Sequence, residues 1–125
     1  MSKKRPCFKT TRIKAYKAQS GLCYYCSQPM WEQDINKFMQ KYSIPINKAK
    51  LLQSTAEHLV PRCEGGSDQG SNIVAACKFC NINRHKSKKP LDPPNYQNRV
   101  LNRLSQNAWH MIQLNPITYQ QKALN

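Results

Sequence analysis

Two Cys-x-x-C pairs, Cys23/Cys26 and Cys77/Cys80, constrain this 125-residue chain more than any other feature. Paired thiols at that spacing are a common arrangement for a structural, tetrahedral Zn²⁺ in a reducing compartment. About fifty residues separate the pairs, which is long for a ribbon alone. The span makes sense if the intervening chain holds a helix and a hairpin whose ends the metal clamps. A domain with so small a core needs such a staple. The alternative, an extracellular disulfide framework, would need a secretory signal. Met1 to Lys17 is basic with no apolar stretch behind it, so no signal is expected, and the cytoplasm is the expected compartment. Cys7 and Cys63 have no evident partner and are expected to be free thiols.

Charge comes next. Twenty Lys and Arg face six Asp and Glu, a formal net charge of +14. Such an excess opposes compaction and points to a polyanionic partner, nucleic acid first. No apolar run is long enough to span or anchor in a membrane. Residues 1–20 carry seven basic side chains and no acid: an arm along a phosphate backbone, or a solvated tail.

The patterning predicts a helix from about Thr11 to Gln19, stopped by Gly21. LCYYCSQPMW then reads as a Cys-bearing turn between aromatics. Ile35, Phe38, Met39 and Tyr42 recur at i, i+3, i+4 and i+7, an amphipathic helix ending before Pro45. Ser54 to Val60 reads as a strand, Gly65 to Asn72 as a reversal, and Ile73 to Ala76 as a short returning strand. Cys77 to Lys86 suits a helix. SKKPLDPPNYQ reads as a proline-rich connector, followed by a tail helix from about Tyr96 to Leu114.

In this layout Glu57 and His58 lie on the first strand, while Asn81 and His85, four apart, share one face of the following helix. A carboxylate and an amide oxygen suit Mg²⁺ or Mn²⁺, and an imidazole suits transition metals better. His58 adjoins Glu57, so its side chain points to the other face unless the backbone twists. An imidazole near neutral pKa that reaches the pocket can take a proton from water. A metal and a base beside a polyanion-binding surface make a phosphodiester hydrolase. Arg62, Arg84 and Lys86 lie close to these residues in the chain, and Arg84 and Lys86 are the expected phosphate contacts.

The ordered set Glu57-His58, Asn72 and Asn81, with its glycine turn and CKFCNINRHK, resembles the HNH endonuclease family. The resemblance runs from about Gly21 to Lys89. It implies a small α+β fold: a ββα-metal (His-Me finger) core with a CxxC/CxxC zinc site and flanking helices. It implies a basic arm at 1–20, the nuclease domain at 21–90 and a helical extension at 91–125. In this reading His58 is the general base, Glu57 and Asn81 hold the divalent ion, and His85 is an additional ligand. Asn72 fastens the hairpin loop so that His58 points inward. Cys23, Cys26, Cys77 and Cys80 hold structural zinc. Asn81 stands where many relatives have His, which leaves the preferred metal open. The implied substrate is DNA rather than RNA, and the alternative is a zinc-bearing nucleic-acid-binding module without catalysis. Monomer and homodimer are both compatible with the sequence.

Overall fold

The computed structural model describes residues 8–114, so Lys3, Lys4, Arg5, Cys7 and the end of the C-terminal extension lie outside it. The described residues form a small mixed α/β fold of five helices and one two-stranded antiparallel sheet. The strands are β1, Ser54–His58, and β2, Ile73–Cys77. Their register pairs Ser54 with Cys77, Ala56 with Ala75 and His58 with Ile73. Strand β1 stops at His58, two residues short of the expected Val60, because Val60 is taken into the loop by Asn72.

Helix α1 covers Lys9–Ala18 and packs on β2 and β1. From Phe8 onward the basic N-terminal stretch is therefore part of the fold rather than a loose arm. Its tether is Gln19, whose amide donates to the Ala75 carbonyl (2.7 Å) and accepts from the Ala75 N–H (2.9 Å). Tyr24 N–H also donates to the Ala75 carbonyl (3.0 Å), so the outer edge of β2 is covered.

Helix α2, Ile35–Tyr42, forms where the apolar spacing places it. The Asp34 side chain caps it by accepting from Lys37 N–H, and Ser43 ends it in the left-handed region at φ 53°. Phe38 is its buried residue. Helix α3, Ile46–Ala49, leads through a short 3₁₀ turn into β1. Helix α4, Lys78–Arg84, is shorter at both ends than its expected span, Cys77 to Lys86.

Helix α5, Pro93–Ser105, corrects the reading of 87–97 as a connector. Asp92 is its N-cap, accepting from Asn95 N–H at 3.0 Å, and Pro93 and Pro94 occupy the first turn, where a missing N–H costs nothing. It ends at Ser105 rather than near Leu114, with Asn107 left-handed at φ 53°. Trp109 then folds back onto Phe79 and Tyr96. Tyr96, Val100, Leu101 and Leu104 join Tyr25, Met30, Phe38, Leu52 and the four cysteines in one core. Among the described residues no helix is long and apolar enough to cross a membrane.

Candidate active site

Two clusters of chemistry meet at the ends of the hairpin. In the first, the sulfurs of Cys23, Cys26, Cys77 and Cys80 lie within 4.8 Å of one another, all buried. The two Cys pairs meet because β2 runs straight into α4 and carries the second pair to the first. Zn–S bonds near 2.3 Å would set tetrahedral sulfurs about 3.8 Å apart, and Cys26 and Cys77 are at 3.9 Å. Backbone N–H groups of Cys77 (3.2 Å) and Tyr25 (3.4 Å) donate to Cys23 Sγ, that of Cys80 to Cys77 Sγ, and the Trp109 indole to Cys80 Sγ. Burial works against a charge on Cys23, but hydrogen bonds from the other three thiols and from Cys77 hold its thiol low. Burial raises the other three. Several thiolates so close and so buried would repel one another without a cation among them, and the donor set fits zinc.

The second cluster surrounds Glu57, which is 1% exposed. Thr55 and Glu57 alternate onto the same face of β1, and α4 lies across it. Glu57 Oε2 accepts from the Tyr25 hydroxyl (3.0 Å) and from Arg84 (3.2 Å), while Oε1 meets His85 Nε2 at 2.8 Å. Burial and the neighbouring carboxylate push the Tyr25 phenol up, so it stays protonated and donates. Asn81, one turn before His85, donates through Nδ2 to Thr55 Oγ1 (3.0 Å) and the Ala56 carbonyl (3.2 Å). Its amide oxygen has no hydrogen-bond partner among the described residues. Two donors each about 2.1 Å from one ion stand about 3 Å apart at right angles. The Glu57–His85 pair, hydrogen-bonded at 2.8 Å, is already at that separation, and Asn81 offers an amide oxygen one turn away; these donor types suit a divalent cation.

Arg84 is a correction. It is 2% exposed, and its guanidinium is spent on Glu57 and on the carbonyls of His58, Leu59 and Leu91 at 3.0–3.2 Å. No donor is left for a phosphate; the residue neutralises Glu57 and ties β1 to the segment before α5. Arg62 and Lys86 are exposed, and Arg62 forms a two-pronged pair with Asp68 at 3.0 and 3.1 Å.

His58 faces away from the Glu57 cluster, as strand alternation requires. Its Nε2 meets Asp68 Oδ1 at 2.9 Å and its ring packs edge-on against Phe8. Hydrogen bonds from His58 and then Arg62 hold the Asp68 carboxyl below its usual range, so the carboxylate accepts and Nε2 donates. In the neutral imidazole this leaves the Nδ1 lone pair free. Asp68, read from sequence only as part of a turn, has no local signal that would have marked it; the loop alone brings it to His58.

The loop is set by Asn72. Its Oδ1 accepts from Val60 N–H (2.9 Å), and its Nδ2 donates to the carbonyls of Val60 (3.0 Å) and Ser67 (2.8 Å). Gly66 sits so close to Val60 that a Cβ there would fall 1.7 Å from the Val60 carbonyl oxygen. The structure thus brings Glu57, His85, Asn81 and Arg84 to one side of β1, and His58, Asp68 and Asn72 to its other side and end. Cys63 is exposed and unpaired.

No curated protein and no solved structure matches the chain. Residues 43–87, which carry both strands, Asn72, the second Cys pair and all of α4, match the HNH endonuclease family, a family of nuclease type that works with divalent metals on nucleic acids.

Proposed function

We propose that the chain is a metal-dependent endonuclease that hydrolyses phosphodiester bonds in DNA. The observation that carries this reading is Glu57 Oε1 at 2.8 Å from His85 Nε2, beside the open amide oxygen of Asn81 and within the matched segment. Glu57, Asn81 and His85 would hold Mg²⁺ or Mn²⁺, and the four cysteines zinc. The ion, when bound, neutralises charge gathering on the phosphate and on the leaving oxygen.

The protein's own groups do the rest. The phosphate would lie at the end of β1, within reach of both sides of the strand; there Asp68 holds His58 by Nε2, and Nδ1 takes a proton from water as the water oxygen forms its bond to phosphorus and the bond to the leaving oxygen breaks. The imidazolium that results is stabilised by Asp68. Arg84 and Tyr25 fix Glu57 from behind, which keeps Oε1 aimed at the ligand set. Asn72 keeps the loop that carries Asp68 closed.

Supercoiled plasmid at low salt, with wild type and His58→Ala in Mg²⁺, Mn²⁺ or no added ion, tests the reading. Wild type should nick or linearise plasmid only with added ion, and His58→Ala should be slower by about 10²- to 10⁴-fold. Undiminished cleavage by the variant would sink the assignment of the base. Plasmid bound but uncut in every lane would leave a zinc-stapled nucleic-acid-binding module.

A further inference from the structure

Strand β1 has β2 on one side only, and a groove of about 790 Å³ runs along its other edge. The edge of β2 is covered by Gln19 and Tyr24; on β1, side chains and Trp31 take single backbone groups, and Ser54 to Ala56 form the floor of an open channel. Helix α1 forms one wall with Lys9 and Arg12, and α4 forms the other with Lys78, Asn81 and His85. No Asp or Glu lines it. Arg12 is tied to Glu32 at 2.8–3.2 Å, but Lys9 and Lys78, on opposite walls, are exposed and make no salt bridge among the described residues.

The geometry points to this groove as the track for one phosphodiester strand of the substrate, with Lys9 and Lys78 contacting phosphates on either side of it. The assignment rests on the nuclease reading, since Asn81 and His85 open into the groove and would meet the strand there. Two unpaired ammonium groups in a groove with no acid in its lining complement a polyanion, and Ile82, 49% exposed, offers apolar surface for sugar faces. An extended peptide adding to the sheet is the poorer occupant. It would need the Ala56 carbonyl on that edge, and Asn81 already holds it at 3.2 Å. Sequence position alone favoured Arg84 and Lys86 as the phosphate contacts. The fold spends Arg84 elsewhere and brings Lys9 to the site from the far end of the chain.

The test uses the zinc-loaded full chain with no other divalent ion and a fluorescein-labelled 20-base-pair duplex, read by anisotropy from 50 to 200 mM salt. Three proteins are compared: wild type, Lys9→Glu/Lys78→Glu, and Lys37→Glu/Lys41→Glu. The last makes the same charge change on exposed residues of α2, which border a separate cavity. Removing two phosphate contacts should weaken binding more than about tenfold and lower the salt slope by about 2, with the α2 variant affected several-fold less. Equal loss in both variants, no loss in either, or no binding by wild type overturns the groove assignment. Binding lost with the groove lysines, but no cleavage with Mg²⁺ or Mn²⁺, upholds the track and removes the nuclease reading instead.

Discussion

The thiol cluster and the Glu57 cluster lie in one core, and both bury acidic groups, yet they manage the charge in opposite ways. The cysteines are surrounded by N–H donors, with no cationic side chain hydrogen-bonded to them among the described residues, and their thiolates would need an ion from outside. Glu57 has Arg84 at 3.2 Å, a counter-charge supplied by the chain itself. A buried acid with its own cation persists before metal arrives, whereas buried thiolates without one need an ion to neutralise them. On the proposed reading, one site suits a permanent ion and the other an ion that comes and goes.

The largest expected effect breaks the thiol side. Cys77→Ser, or zinc withdrawal by a strong chelator, should unfold the domain, since structural zinc contributes on the order of 10–16 kcal/mol in small zinc-folded peptides. Far-ultraviolet circular dichroism and thiol titration read it. Retention of native helix and protected thiols without zinc would erase the contrast.

Breaking the other side should cost less. Arg84→Ala leaves Glu57 buried without its partner and should destabilise by about 3–5 kcal/mol. Glu57→Leu/Arg84→Met, which removes both charges at similar volume, should recover most of that loss. Denaturant unfolding of the zinc-loaded proteins decides. A double variant as unstable as Arg84→Ala would mean that the hydrogen bonds, not the charge pairing, hold the cluster.

His110 supplies a third contrast, a buried base with no partner for its charge. Burial pushes it down to about 4, and its Nδ1 accepts from Ile112 N–H at 3.0 Å. Between the ordinary value near 6.5 and about 4 the unfolded chain binds a proton that the folded chain refuses. Stability is complete above that window and falls with pH through it, by up to about 3 kcal/mol. His110→Asn keeps an acceptor in place and should flatten the difference in stability between pH 7 and pH 4.5. Equal acid sensitivity of wild type and variant would show that the cysteine site alone sets it.

The smallest effect concerns the loop. Asn72→Ala removes three hydrogen bonds and should cost about 1–3 kcal/mol, measured as a fall in melting temperature with zinc content unchanged. On the proposed mechanism, cleavage should fall further than that stability change explains, because Asp68 and His58 lose their alignment.

Local signals carried much of this fold. Ile35, Phe38, Met39 and Tyr42 marked α2 because a helix period needs only neighbours in sequence, and the glycine turn marked the hairpin. Asp92-Pro93 misled because the same prolines that break a helix interior are at home in its first turn. Arg84 misled for a different reason. Its partner Glu57 is 27 positions away, and nothing in RHK distinguishes a buried guanidinium from a solvated one. Glu57, His85 and Asn81 were legible by strand and helix spacing, whereas Asp68 and Lys9 reach their places only through the tertiary fold.

Tyr25 lies between Cys23 and Cys26, its N–H bound to the sulfur of one and its hydroxyl bound to Glu57. The knuckle and the carboxylate consequently share a residue, so neither can be disturbed alone. A substitution that reshapes the knuckle therefore also reaches the ring whose hydroxyl steadies Glu57.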